Sequence, residues 1–179
     1  MFDGRILRNE AIGAVFIILT GSALHFVFDW AGRWPPVAVV AAVNESIWEH
    51  LKLAFWPGLV WAVVTCGTTT RGRAGCFAIR GFALLVAPVL IVTIFTGYTA
   101  ILGDNLLVLD IGTFVLAVMA GQVVAAGLLS CRVESPVLIR LGLGLLTALL
   151  IAFSLFSFFP PDHWLFVDPG TGLRGMDAR

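Results

Sequence analysis

The chain has 179 residues, 59% of them hydrophobic and only 12% charged, with a mean hydropathy of +0.99. A water-soluble domain carries about a quarter charged residues, so this chain lacks the polar surface to face water and calls for a bilayer as its solvent. Eleven bases balance eleven acids, which argues against a nucleic-acid partner held through phosphate contacts.

The first apolar run, 11–30, follows Arg5 and Arg8. Its length of about 20 residues spans a hydrocarbon core, and it ends in Asp29 and Trp30 rather than a small-residue cleavage site, so it reads as a membrane helix and not a removable signal. Pro35 and Pro36 then open a short segment, 37–43, too short to cross and expected to be an extended or re-entrant lead into a second helix at 44–65. Asn44 is the expected cap of that helix, with Glu45 and Ser46 in its first turn. Further helices are expected at 77–99, 105–130 and 137–159, with kinks at Pro57 and Pro88, followed by a tail at 160–179. The expected fold is an all-α integral membrane protein, one domain over 1–179, built as a five-helix bundle. Cys66, Cys76 and Cys131 show neither CxxC spacing nor a disulfide-rich pattern, which suggests a structural role or none.

Basic residues set the expected topology. Arg5, Arg8, Arg71, Arg73, Arg80, Arg132 and Arg140 fall on one side, and Arg33, Arg174 and Arg179 on the other, while Lys52 lies inside a helix. Seven against three places the N-terminus inside and the C-terminus outside. In that orientation the unusual polar residues gather at the outer ends. They are His25 and Asp29, the stretch NESIWEHLKL at 44–53, Asp104 and Asp110, and PPDHWLFVDPGTG at 160–172. The inner ends show ordinary arginines and threonines.

On one continuous helix Glu45, Glu49, Lys52 and Trp56 share a stripe, and Ser46 and His50 form the next one at i,i+4. Such an arc cannot face lipid and must find partners in a bundle interior or a wet cavity. His25, Asp29, Glu45, Glu49 and His50 are therefore expected to line one cavity. Two readings stand. Three imidazoles (His25, His50, His163) with several carboxylates suit zinc or another divalent ion, and an open position on that ion would supply a nucleophile near neutral pH. Alternatively the set is a latch of ion pairs, Glu49 with Lys52 and Asp29 with Arg33 or His50. The pattern is neither HExxH nor the ExxH of di-iron bundles, and no Gly-x-Ser-x-Gly elbow is present. Trp30, Trp34, Trp48, Trp56 and Trp164 read as an interfacial belt, and DPGTGLRG as a tight turn in which Pro169 fixes φ, Gly170 and Gly172 permit positive φ, and Asp168 can hydrogen-bond the backbone ahead of it.

HFVFDW (25–30), NESIWEHLKL (44–53), YTAILGDN (98–105), LDIGTF (109–114) and PPDHWLFVDPGTGLRG (160–175) together span most of the chain. This combination resembles a bacterial family of small polytopic membrane proteins of unknown function. That family carries a Pro-Pro-His where this chain has Pro161-Asp162-His163, an apparent insertion before His163. The resemblance implies a multi-pass protein of the bacterial inner membrane. A more distant analogy of site chemistry, in Ser46, His50 and Asp29, links it to the ceramidase-like membrane hydrolases, which gather histidines, a serine and an aspartate around zinc.

The leading expectation is a membrane-embedded, metal-dependent hydrolase acting from the outer face on a lipid or lipid-linked amide or ester. His25, His50 and His163 would hold a divalent metal, zinc favoured, with Asp29 or Asp110 completing or orienting the shell. Glu49 or Glu45 would be the general base, and Ser46 a donor to the oxyanion. The rivals are a non-enzymatic metal-binding sensor or assembly partner, and an ion-coupled transporter. The partners expected are the bilayer and a lipid substrate, and no sequence feature sets the oligomeric state.

Overall fold

The computed structural model describes residues 3–68, 72–131 and 135–178. Arg71, Arg132 and Arg179, used above in the topology count, lie outside them. Among the described residues five α-helices follow one another: α1 (Gly4–Trp30), α2 (Ile47–Gly67), α3 (Arg73–Leu102), α4 (Leu107–Ser130) and α5 (Pro136–Leu155). Among the described residues four helices, α1, α3, α4 and α5, are long and apolar enough to cross a membrane. The fifth, α2, is not one of them, since Glu49, His50 and Lys52 crowd its first two turns.

Local chemistry accounts for where the observed ends depart from expectation. The first helix begins seven residues early, at Gly4, because the Asp3 side chain accepts from the Arg5 N–H and caps it. The second begins late, at Ile47, with Ser46 in the cap position. Asn44 does not cap it, because its amide is used elsewhere: Oδ1 accepts from the Ser46 N–H at 2.8 Å, and Nδ2 donates to the Gly175 carbonyl at 2.9 Å. Both α2 and α3 run through their internal prolines, Pro57 and Pro88.

The order of packing is set by which faces are small. α1 lies against α2 and α4, and α3 against α2, α4 and α5. In lipid there is no water to expel from between helices, so close backbone approach is what holds a bundle together. At the α3–α5 crossing a Cβ on Gly81 would stand 2.2 Å from the Gly142 carbonyl oxygen, and one on Gly142 would stand 2.3 Å from that of Ala78. Phe55 stacks on Phe153 with centroids 4.6 Å apart, surrounded by Ile17, Leu84 and Val118. The opposite face of α1 is an exposed apolar stripe, Ile12, Val15, Leu19 and Phe26, as a lipid-facing helix requires.

The lead into α2, 35–43, opens with a 3₁₀ turn, Pro35–Val39, and buries Ala38, Ala41, Ala42 and Val43. Irregular backbone buried inside a bundle needs its carbonyls satisfied. Lys52 does this. Its fully buried Nζ donates to the carbonyls of Ala38 and Ala41, each at 2.7 Å, and to Ser157 Oγ at 2.7 Å. It also pairs with Glu49 at 2.5 Å.

The other end of the bundle is not the plain arginine rim expected of it. Glu10 and Arg80, both buried, form a two-pronged ion pair at 2.6 and 2.7 Å, with Thr65 accepting from Arg80 and Gln122 donating to Glu10. Arg80 is thus a core residue rather than a loop base, and without it the topology count becomes six against three. Beside this network Cys66 and Cys76 form a disulfide joining the end of α2 to the start of α3, while Cys131 is free and exposed.

Candidate metal centre

The site begins with a missing side chain. Gly21 on α1 faces the α2 backbone so closely that a Cβ there would stand 2.4 Å from the Leu53 carbonyl oxygen. His25 is one turn beyond Gly21 on the same face, and His50 is one turn before Leu53. Close helix contact at Gly21 therefore brings the two imidazoles together, with Nε2 atoms 3.2 Å apart. Glu45, on the segment that enters α2, completes the group. Its Oε2 lies 3.6 Å from His25 Nε2 and 3.4 Å from His50 Nε2. One ligand atom from each residue lies within 4.8 Å of the others, the arrangement that can hold a metal ion.

The orientation of His50 is fixed from behind. Its Nδ1 lies 2.9 Å from the Ser46 carbonyl, which accepts the Nδ1 proton and aims Nε2 at His25 and Glu45. Metal-binding histidines are oriented in this way, by a carbonyl or carboxylate on the other ring nitrogen. Two imidazole nitrogens 3.2 Å apart need a proton or a cation between them. The His25 and His50 imidazoles beside Glu45 hold its carboxyl well below the usual carboxylate range, so it stays anionic. The group sits at the bundle end, with the His25 and His50 side chains about one-third exposed and Glu45 about 61% exposed.

The remaining expected site residues go elsewhere. Glu49, which the single-stripe reading put in the same cavity as Glu45, turns inward instead. It pairs with Lys52, accepts from Ser157 Oγ at 2.7 Å, and accepts from the Val43 N–H at 3.1 Å. The stripe divides because Glu45 precedes the helix and does not follow its 100° rotation. Ser46 is buried as the cap residue and offers its carbonyl to His50. His163 is exposed in the tail, its Nδ1 accepting from the Leu165 N–H, outside the His25–Glu45–His50 group. Asp29 pairs with Arg33 at 2.8 Å on the exposed surface. Asp110 accepts from the Tyr98 hydroxyl and from Asn105 Nδ2, at the α3–α4 turn.

Asp168 is the residue that sequence reasoning left as a mere turn former. Its Oδ1 does close the turn, accepting from the N–H groups of Gly170 and Thr171 and from the Thr171 hydroxyl. Of the two glycines only Gly172 takes positive φ, 71°. The other oxygen, Oδ2, accepts from the Glu45 N–H at 2.8 Å, across 123 residues. Burial alone would raise the Asp168 carboxyl, but these donors, the Glu45 N–H foremost, hold it below its ordinary value. The tryptophans also divide. Trp30, Trp34 and Trp164 are exposed as a belt requires, whereas Trp48 stacks inside on Phe153 and Phe166, with centroids 4.7 Å away in each case.

Membrane-length apolar helices around buried ion pairs, with one partly open group of histidines and a glutamate at the bundle end, define a helical membrane protein with a candidate cation site. The chain belongs to a family of unknown function (DUF6512), whose family model matches residues 7–176. No curated protein and no solved structure is significantly similar to it.

Proposed function

We propose that the protein is a membrane-embedded, zinc-dependent hydrolase acting on a lipid or lipid-linked ester or amide, with His25, His50 and Glu45 as the metal ligands. The observation that carries this is the spacing of the three donor atoms. Ligands bonded to a tetrahedral ion at about 2.0–2.1 Å stand about 3.3 Å apart, and the separations here are 3.2, 3.4 and 3.6 Å. A two-histidine, one-carboxylate set leaves a fourth position, and the exposed side of Glu45 leaves it open to water and to the lipid headgroup region. An ion held there supplies Lewis acidity and a nucleophile near neutral pH.

This reading reassigns the expected roles. Glu45 becomes a ligand rather than the base, Ser46 orients His50, and Glu49 belongs to the fold. His163, Asp29 and Asp110 stand outside the ligand set. A second reading, a non-enzymatic metal-binding sensor or assembly partner, draws on the locking of Glu49: its bonds to Lys52, Ser157 and the Val43 N–H keep it from serving as a general base.

The membrane arrangement forms part of the proposal. All five helices cross a bacterial inner membrane, N-terminus inside and C-terminus outside, with α2 shielded by α1 and α3 and its charges neutralised within the bundle. The centre then faces the outer side.

Metal analysis of protein purified in detergent, followed by incubation of the zinc-loaded protein with defined phospholipids and N-acyl lipids, tests the function. One zinc per chain and release of fatty acid that fails in His50→Ala support the hydrolase. Zinc without turnover leaves the binding role. A wild-type protein with no affinity for zinc overturns both.

A further inference from the structure

We infer that Asp168 is a positioning residue for the metal ligand Glu45, so that the C-terminal tail is a working part of the metal centre. The inference rests on the zinc reading above and concerns how that site is assembled. His25 and His50 each ride on a helix, and the packing at Gly21 fixes their separation. Glu45 has no such support. It stands between the 3₁₀ turn and α2, outside both, and its side chain is the most exposed of the three.

What fixes Glu45 is the tail. Asp168 is 4% exposed, and its Oδ1 is saturated by Gly170, Thr171 and the Thr171 hydroxyl, so the carboxylate cannot rotate. That leaves Oδ2 aimed at the Glu45 N–H, 2.8 Å away. One residue earlier, Asn44 Nδ2 grips the Gly175 carbonyl, and the Met176 N–H bonds back to the Ser157 carbonyl at 3.0 Å. The chain entering the Glu45 Cα is therefore held by residues more than 120 positions away, and the Ser46 N–H just beyond it is held by Asn44 Oδ1. Only then does the Glu45 side chain leave its Cα towards the two imidazoles. Asp168 lies outside the group of ligand atoms and acts through Glu45 alone.

A carboxylate is needed here because both oxygens accept. An asparagine has one oxygen and one NH2. With its oxygen on the three turn donors, its NH2 would meet the Glu45 N–H donor to donor. Asp168→Asn should therefore keep the turn and lose the grip on Glu45.

The test is zinc affinity by competition with a chelator in detergent, together with the visible spectrum of the cobalt-substituted protein, on wild type, Asp168→Asn, Glu45→Ala and the double variant. Asp168→Asn should weaken zinc about 10- to 100-fold, as changes behind a metal ligand do, and move the cobalt bands towards those of Glu45→Ala. In the Glu45→Ala background Asp168→Asn should have no further effect. A purely structural role would instead lower affinity by the same factor in both backgrounds, and that result overturns the inference. So does unchanged affinity in Asp168→Asn. If wild type binds neither zinc nor cobalt, the metal reading itself has failed, which is a distinguishable outcome. Should Asp168→Asn not fold, Thr171→Val removes the hydroxyl bond to the same carboxylate, together with the hydroxyl's weaker bond from the Leu173 N–H, and should give a smaller loss in the same direction, again absent from the Glu45→Ala background. An unchanged affinity there counts against the inference.

Discussion

Glu45 and Glu49 are four residues apart, and their surroundings are opposites. Glu49 is 1% exposed, and its oxygens are met by an ammonium, a hydroxyl and a backbone N–H, while Lys52 is itself used up on two carbonyls and Ser157. The Glu10–Arg80 pair at the other end of the bundle is likewise buried and two-pronged, although its Arg80 Nε has no partner among the described residues. Glu45 instead shares a partly open space with two imidazoles whose nitrogens face each other. In an apolar bundle a charge closed off by buried partners is part of the architecture, whereas Glu45, paired with two imidazoles at a partly open end of the bundle, stays accessible from outside.

The sharpest way to break that comparison is to exchange the signatures. His50→Ala should abolish bound zinc and leave thermal unfolding in detergent nearly unchanged, because five packed helices do not depend on one half-buried imidazole. Glu49→Ala should do the reverse. It leaves a buried ammonium without its counter-ion, at a cost of about 3–5 kcal/mol, and Glu49→Ala with Lys52→Ala should recover much of that loss. Zinc content unaffected by His50→Ala would dissolve the distinction.

A smaller effect is expected at the helix contact that creates the open site. Gly21→Ala puts a methyl group against the Leu53 carbonyl and Phe114. The helices must part by some tenths of an ångström, costing about 1–3 kcal/mol and pulling His25 away from His50. Zinc affinity should therefore fall together with melting temperature. The control, Gly97→Ala, with nothing within 4 Å, should change neither.

These contrasts show what the sequence could and could not convey. Helices α3, α4 and α5 were legible to within a few residues because an apolar run has one solution in a bilayer. So was the gathering of His25 and His50. The separation of Glu45 from Glu49 was not legible, because the start of α2 is decided by Asn44 reaching Gly175, a bond 131 residues long. Arg80 looked like a loop base since its partner, Glu10, stands at the edge of the first apolar run, and only folding shows that the two meet. The Cys66–Cys76 bond was hidden for a related reason. Ten residues of separation carry no pattern until the α2–α3 turn brings the helix ends together.

The disulfide bears on orientation. With the Glu10–Arg80 end in the cytosol, Cys66 and Cys76 should be held as thiols in growing cells and close after extraction in air. Acid-quenched cells, alkylated before lysis, should thus show both cysteines modified. A bond already present at quenching would place that end outside and move the metal centre to the inner face, against the six-to-three count of bases. A reporter fused after Arg179 gives the same answer independently, active outside if the orientation holds.

The smallest expected effect is the acid response of the tail. Asp168 has its carboxyl lowered in the folded protein, from an ordinary value of about 3.9. A group shifted in this direction stabilises the fold fully at pH values above its unfolded pKa, and the contribution fades as pH falls through the folded one. The docking of residues 160–178 onto the Glu45 segment should accordingly be constant from neutral pH down to about pH 5, and weaken only below about pH 4. Protonation of the histidine ligands should expel zinc at a higher pH than the one that loosens the tail. Two separate transitions should therefore appear in an acid titration: zinc release first, then loss of hydrogen-exchange protection at the Glu45 and Thr171 amides. In Asp168→Asn the second transition should vanish while the first remains, displaced by the weaker binding. Coincident transitions would mean that the tail and the metal centre open as one unit, and that the open and closed regions of polar structure are less independent than their contacts indicate.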